Sequence, residues 1–383
     1  MSDAEAHEPG RSPGANRVTG LDGIRGLAAL YVLVHHCWLL SFPGYPANNG
    51  PWPLGWLLYG RFAVVVFLVL SGFSLAISPA VRGWRLGGGR RFLSRRARRI
   101  LPAYWAALAV SLVIAWAAAP QPLSDPPSAR SVVVYGLLLQ DVVAAPVPNA
   151  AFWSIAVEAW LYLAFPVLLL IRRRAGAVAM LAAVTVPVVA YGLLRPGAIG
   201  GSTGYTVELA PLFAVGVLAA GVLAAGERVR RLPWHWLAAA AAAPVVVLIV
   251  VRGPVWTADR FFWFDLAIGP AIAAFLAAVA TGRPGPLVRL LDSRPVRALG
   301  GFSYSLYLIH VPIVVLVSRR VVAPLVAPGL PAFWATLALA VPVCLVAARL
   351  FAAAFEWPFQ HRPPSGRPSH LESPRSREGA GAP

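Results

Sequence analysis

The sequence predicts an all-α, polytopic integral membrane protein of about ten transmembrane helices. Apolar residues occur in runs of about 18 or more, which is long enough to cross a bilayer. Charged residues make up 13% of the chain, about half of the roughly 25% that is usual in soluble domains. Arginines gather in short runs at the ends of the apolar segments. A single span joined to a soluble domain is excluded, because every soluble-like stretch is short.

Ten apolar segments are long enough to be predicted as spans. They cover residues 21–41, 57–79, 100–119, 151–171, 175–194, 206–225, 234–252, 262–281, 299–318 and 332–355. The two ends are rich in Gly, Pro, Ser and charge, a composition typical of disorder. We therefore expect a membrane domain at 18–360 between two disordered tails, 1–17 and 361–383.

The distribution of arginine predicts the topology. The formal net charge is +18, and all 33 basic residues are Arg. Clusters follow the second, fourth, sixth and eighth spans, on the side of the N-terminus; they lie within 82–99, 172–174, 228–231 and 283–297. Positive charge marks cytoplasmic loops, so both termini are expected in the cytoplasm and the protein in the plasma membrane. The charge pattern fits topology and lipid contact, and does not favour a nucleic-acid partner.

One apolar segment, 131–145, is too short to fit this scheme. Counting it as a span would invert every later arginine cluster. We expect a re-entrant or interfacial helix there.

The first candidate motif is LDGIRGLAALYVLVHH at 21–36. His36 lies eleven positions after Arg25, so both side chains share one face of a helix, about 16 Å apart along its axis. Ionisable groups at bilayer depth are costly and mark functional sites. His36 is expected to act as a base, with Arg25 as an anion site on the cytoplasmic side. Alternatively, Arg25 reaches the interface, Asp22 caps the helix and His36 is a packing residue.

The second motif is RRFLSRRARRILPAYW at 90–105, with six arginines before Pro102. Arg96 and Arg99 are neighbours on one helix face. Guanidinium groups bind phosphate through paired donors, so this face is suited to a phosphate or pyrophosphate. Topological charge and lipid headgroup contact remain an alternative.

The third motif is FWSIAVEAWLYLAFP at 152–166. Ser154, Glu158 and Tyr162 follow a four-residue spacing and form a polar stripe on an apolar span. Glu158 is expected to orient His36 or to act as a second base. A structural ion pair with an arginine is the alternative.

The fourth motif is LGGFSYSLYLIHVP at 299–312, which places Tyr304 and His310 on the ninth span as supporting residues; a purely structural His310 is equally compatible. Ser71–Gly72 is expected to be a close-packing site between helices. The two cysteines, Cys37 and Cys344, lie in apolar runs and predict neither a disulfide framework nor a metal site.

Together these segments resemble the acyltransferase 3 family of integral membrane acyltransferases. The resemblance spans about residues 18–360 and includes FLVLSGFSL and the terminal FEWPF string. It implies transfer of an acyl group, commonly acetyl from acetyl-CoA, to a hydroxyl of a sugar, glycolipid or macrolide-like acceptor. Acyl-CoA is then a donor substrate, and no cofactor is bound permanently.

The resemblance also assigns residues. The family's Arg-x10-His motif corresponds to Arg25 and His36, and its Arg-x-x-Arg motif to Arg96 and Arg99. Its Trp-Ser-x-x-x-Glu motif corresponds to Trp153, Ser154 and Glu158.

Two other functions remain open from the sequence. A transporter or flippase for a lipid-linked glycan or small acid would also use polar residues on spans one, four and nine. The absence of an internal repeat speaks against it. An enzyme with a lipid-phosphate donor would use the arginine face in the same way.

Overall fold

The computed structural model describes residues 18–47, 50–122, 124–195 and 206–360. In these ranges the chain forms helices and no strands, which confirms the all-α prediction. The predicted tails 1–17 and 361–383 lie outside the described residues. The helices are α1 (Leu21–Ser41), α2 (Arg61–Ala80), α3 (Gly89–Ala117), α4 (Ala129–Gly136), α5 (Trp153–Leu194), α6 (Leu209–Ala219), α7 (Glu227–Arg230), α8 (Trp234–Ala258), α9 (Phe261–Ala280), α10 (Gly285–Leu291), α11 (Arg294–Gly300), α12 (Ser303–Leu316), α13 (Leu330–Phe355) and α14 (Trp357–Gln360).

Eight of the described helices are long and apolar enough to cross a membrane, so the protein is a multi-pass membrane protein. The 42-residue α5 covers two predicted spans, 151–171 and 175–194. Its two halves meet at Gly176, whose φ of 92° and ψ of −179° are not helical. The predicted span 206–225 forms α6 and a short 3₁₀ helix, Ala220–Ala224. The count of ten spans therefore stays a prediction.

The apolar segment 131–145 does not span. Its helix α4 has eight residues, which reach only about 12 Å, and the chain continues from it in turns. The structure thus agrees with the expectation of a non-spanning segment at this point of the chain.

Burial separates central from peripheral helices. In the most apolar stretch of the helix Ser303–Val322, 67% of residues are buried, against 11% in α8. The exposed side chains of α8 include Val246, Val247 and Val250. Apolar side chains left uncovered on a membrane helix are in contact with lipid. The stretches of α2 and α9 are 61% buried, so these two helices and α12 are the most central of the eight.

Two glycines allow the backbones of α2 and α6 to touch. A Cβ atom at Gly72 would lie 2.1 Å from the carbonyl oxygen of Phe213, and one at Gly216 would lie 2.0 Å from that of Val69. Small residues at such positions let membrane helices approach closely. The expected packing role of Gly72 is thereby confirmed.

Replacing Gly72 by alanine is expected to destabilise the protein by about 1–3 kcal/mol, because the added methyl group overpacks a contact between two backbones. The measurement is the midpoint of thermal unfolding in detergent. Gly55→Ala is the control, since no atom lies within 4 Å of a Cβ at that position. Equal midpoints for the two variants would contradict the close approach of α2 and α6.

Candidate active site

A cavity of about 490 Å³ lies between α1, α2, α3, α5 and α12. At one end of the lining, Arg99 and Gln360 are exposed and Asp22 is partly exposed, and we call this end the mouth. At the other end, Ser154 and Tyr307 are buried beside Phe67, and we call this end the floor. The polar residues that line it are Asp22, Arg25, Ser71, Ser74, Arg96, Arg99, Ser154, Glu158, Tyr162, Ser303, Tyr304, Tyr307, Glu356 and Gln360. Seven of the predicted site residues are therefore brought together: Asp22, Arg25, Arg96, Arg99, Ser154, Glu158 and Tyr304.

Five helix ends meet at the mouth. They are the starts of α1, α3 and α12 and the ends of α2 and α13. The predicted topology places all five ends on the cytoplasmic side. Residues further along α1 and α12 lie further from the mouth.

Arg25 points into the cavity. Its Nη1 donates to the Asp22 carboxylate at 2.7 Å, and its Nη2 donates to Ser74 Oγ at 2.5 Å. The guanidinium thus ties α1 to α2. The capping alternative for Asp22 does not hold, because the residue that precedes α1 is Gly20 and no side chain caps the helix.

Arg96 and Arg99 are available to a ligand. Within the described part of the chain, neither side chain makes a hydrogen bond or ion pair with another residue. The Nε atom of Arg96 is buried without a partner. The guanidinium lies over the Phe92 ring, 5.8 Å from its centroid. Because buried polar atoms normally have partners, an Nε–H group without an acceptor beside a cavity is suited to an anion.

Glu356 closes one side of the mouth. Ser305 Oγ donates to its carboxylate at 2.5 Å, and Gln360 Nε2 donates at 2.9 Å. Burial raises the pKa of the Glu356 carboxyl, while the Ser305 hydrogen bond and the charge of Arg99 oppose the rise. In the sequence, the only signal for Glu356 is a lone carboxylate within FEWPF at the end of a predicted span.

Glu158 lines the cavity one helical turn, about 6 Å, from the floor residue Ser154. Ser71 Oγ donates to its carboxylate at 2.7 Å, and the Tyr162 hydroxyl also donates to it. The expected contact with His36 is not made: the described hydrogen bonds of Glu158 go to Ser71 and Tyr162. Ser71 is therefore more than the packing residue that the sequence suggested.

The floor is a hydrogen-bonded pair. The hydroxyl oxygens of Ser154 and Tyr307 are 2.7 Å apart, and the Phe67 ring packs edge-on against Tyr307. Tyr304 lies one turn nearer the mouth and donates to the carbonyl of Ile100 at 3.2 Å. This pair separates the cavity from the next layer of polar residues.

His36 and His310 lie beyond the floor. Nδ1 of His36 is 3.2 Å from Nε2 of His310. The pair is next to the floor, since the His310 ring neighbours that of Tyr307 at 5.8 Å between centroids. His310 is completely buried, whereas His36 keeps partial exposure. The two histidines that the sequence placed on separate spans are thus direct neighbours.

Trp153 does not line the cavity. Its ring lies under the guanidinium of Arg61, 5.2 Å from the ring centroid. Arg61 also donates at 2.7 Å to the carboxylates of Glu208 and Asp265. No local motif marks this cluster in the sequence, since its members are charges inside three separate apolar segments, 57–79, 206–225 and 262–281.

Comparisons with known proteins show the family of the chain. The family model of the acyltransferase 3 family, described as an acyltransferase domain, matches residues 18–349. A protein of Bacillus subtilis (strain 168), named "Putative peptidoglycan O-acetyltransferase YrhL", is 27% identical over 364 residues, which cover 86% of this chain and 53% of the relative. The chain thus spans about half the length of that relative. No solved structure matches the chain. Because the family match covers most of the sequence, this protein belongs to the acyltransferase 3 family of membrane acyltransferases.

Proposed function

We propose that this protein transfers an acyl group, acetyl in the first instance, from acyl-CoA to a hydroxyl of a carbohydrate acceptor. The observation that carries the proposal is the cavity itself. Two arginines that make no hydrogen bond or ion pair with any described residue lie towards its mouth, and a histidine lies just beyond its floor. A donor whose phosphates are joined to the reacting group by a long arm fits this distance between the arginines and the histidine.

The donor binds by its phosphates at the mouth. Arg96 and Arg99 offer bidentate donors for phosphate oxygens, and Arg25 adds positive charge deeper in the cavity. Tyr304 and Asp22 hold the surrounding helices in register. With the predicted topology, CoA enters from the cytoplasm.

The pantetheine arm then runs along the cavity toward the floor. The Glu158 carboxylate, fixed by Ser71 and Tyr162, accepts hydrogen bonds from amide N–H groups of the arm. Passage of the thioester toward His36 requires the Ser154–Tyr307 pair to part. Trp153 supports this layer from behind, through its contact with Arg61.

His36 acts as the general base. It takes the proton of the acceptor hydroxyl as the oxygen attacks the thioester carbonyl carbon. The carbon–sulfur bond breaks, and the CoA thiolate leaves and is protonated by the His36 imidazolium. Ester and free CoA thiol are formed, and His36 returns to its neutral state.

The acceptor is a carbohydrate or glycolipid at the plasma membrane, in contact with membrane lipids. The printed name of the Bacillus relative favours peptidoglycan as the first acceptor to test. Peptidoglycan fragments present the sugar hydroxyls that the reaction requires.

The test uses the purified chain in nanodiscs with labelled acetyl-CoA and soluble peptidoglycan fragments. We expect labelled fragments whose acetyl group is removed by mild alkali, and one free CoA thiol for each ester. A transporter would give neither product, because it needs no acyl donor. An enzyme with a lipid-phosphate donor would form product only when such a lipid replaced acetyl-CoA, and free CoA would not compete. Either result would overturn the proposal.

A further inference from the structure

We infer that His310 is a positioning residue that holds His36 in the tautomer with the proton on Nδ1, leaving Nε2 as the basic nitrogen. This inference rests on the proposed function, and it adds an assignment of each proton in the histidine pair. It follows from the hydrogen-bond partners of the two rings.

The tautomer of His310 is fixed by its own helix. Its Nδ1 lies 2.8 Å from the carbonyl oxygen of Tyr307 and 3.1 Å from that of Leu306. A carbonyl oxygen only accepts, so Nδ1 of His310 carries the proton. A neutral imidazole has one N–H group, and Nε2 of His310 is therefore an acceptor.

The tautomer of His36 follows from that of His310. Nδ1 of His36 lies 2.9 Å from the carbonyl oxygen of Val32 and 3.2 Å from Nε2 of His310. Both neighbours are acceptors, so Nδ1 of His36 must be the donor. Its Nε2 then holds a free lone pair, as a general base requires.

Burial divides the roles of the two rings. His310 has no exposed surface, so it cannot touch a substrate and acts only through His36. When His36 takes a proton, its Nδ1–H becomes part of an imidazolium. The hydrogen bond to His310 is then charge-assisted and stronger, which stabilises the state that forms during transfer.

His35 shows that this arrangement is specific to His36. Its Nδ1 donates to the carbonyl of Leu57 at 2.6 Å. Its ring is packed so tightly that a Cβ atom at Gly60 would lie 2.2 Å from it. Nδ1 of His35 thus has a backbone acceptor alone, whereas Nδ1 of His36 has a second imidazole beside its backbone acceptor, the carbonyl of Val32.

Two substitutions separate positioning from packing. In His310→Gln the amide oxygen can occupy the place of Nε2 and accept from His36. In His310→Asn the shorter amide can replace only Nδ1, so His36 loses this acceptor. We expect His310→Gln to keep kcat within about threefold of wild type and His310→Asn to lose about 10- to 100-fold, with KM for acetyl-CoA unchanged in both.

His235→Asn, at the start of α8, controls for replacing any histidine and is expected to be neutral. Equal losses in the Gln and Asn variants would show that His310 only fills space, and would overturn the inference. So would a rise in KM without a change in kcat.

A second readout does not need activity. In protein labelled with ¹⁵N-histidine, the ring signals of His36 are identified by their loss in His36→Ala. We expect a protonated Nδ1 and an unprotonated Nε2 in the neutral ring. The reverse pattern would refute the assignment. If no acyl transfer is found but this pattern is, the proposed function fails while the tautomer assignment stands.

Discussion

Replacing His36 by alanine is expected to lower kcat for acetyl transfer by about 100- to 10,000-fold, the usual contribution of a positioned general base. The reason is that no other basic nitrogen within the described residues lies next to the floor with exposed surface. His310 is fully buried and its free nitrogen faces His36. The measurement is the rate of CoA thiol release from saturating acetyl-CoA with peptidoglycan fragments as acceptor.

This experiment needs a folded variant. Size-exclusion profile and thermal midpoint should match those of wild type, because His36 is only partly buried. His235→Ala serves as the control for removal of an imidazole. An equal rate for wild type and His36→Ala would make His36 a packing residue and would move the search for a base to Glu158.

Replacing Arg96 and Arg99 together by glutamine is expected to raise KM for acetyl-CoA by about 100-fold, since each charge-assisted hydrogen bond to phosphate contributes about 1.5–3 kcal/mol. We expect kcat at saturating donor to change little, because phosphate contacts are made equally in the ground and transition states. The measurement is the dependence of initial rate on donor concentration.

The chain offers a matched control for this pair. Arg95 and Arg98 lie on the same helix, one residue earlier, and do not line the cavity. Arg95→Gln with Arg98→Gln removes the same charge and should leave KM within about threefold of wild type. If both double variants raise KM equally, the arginines supply only general positive charge and the mouth is not a phosphate site.

Helical periodicity predicted which residues share a face. Asp22 and Arg25 form the ion pair that their three-residue spacing allows, and Glu158 and Tyr162 are bonded one turn apart. These contacts lie within one helix, so spacing in the sequence is enough to predict them.

Contacts between helices could not be predicted in the same way. The sequence suggested a pair between Glu158 and His36, but the two residues lie at different depths. α1 and α5 run in opposite directions across this layer, and Glu158 lies about 6 Å from Ser154 toward the mouth. His36 lies beyond the floor. Periodicity predicts the helix face on which a residue lies. It does not predict which residues of neighbouring helices lie at the same depth in the bundle.

Span counting met a similar limit. Apolar length alone does not show that the segments 151–171 and 175–194 meet at a single non-helical residue, Gly176, or that the segment 206–225 forms two short helices. The cluster of Arg61, Glu208 and Asp265 joins three helices that are distant in sequence. Its members are single charges with no local spacing pattern, so their contact is seen only in the tertiary structure.

The central claim is that acyl-CoA binds in this cavity and that His36 is the base for acyl transfer. The most direct test is a structure of the protein with a non-hydrolysable acetyl-CoA analogue. We predict density for the phosphates at Arg96 and Arg99. We also predict that the hydroxyl groups of Ser154 and Tyr307 are no longer hydrogen-bonded to each other. The acetyl carbonyl carbon should lie close enough to Nε2 of His36 for one acceptor hydroxyl to fit between them. An acetyl group that stays beside Glu158 with the floor closed would contradict His36 as the base. Phosphates bound outside the cavity would contradict the donor site.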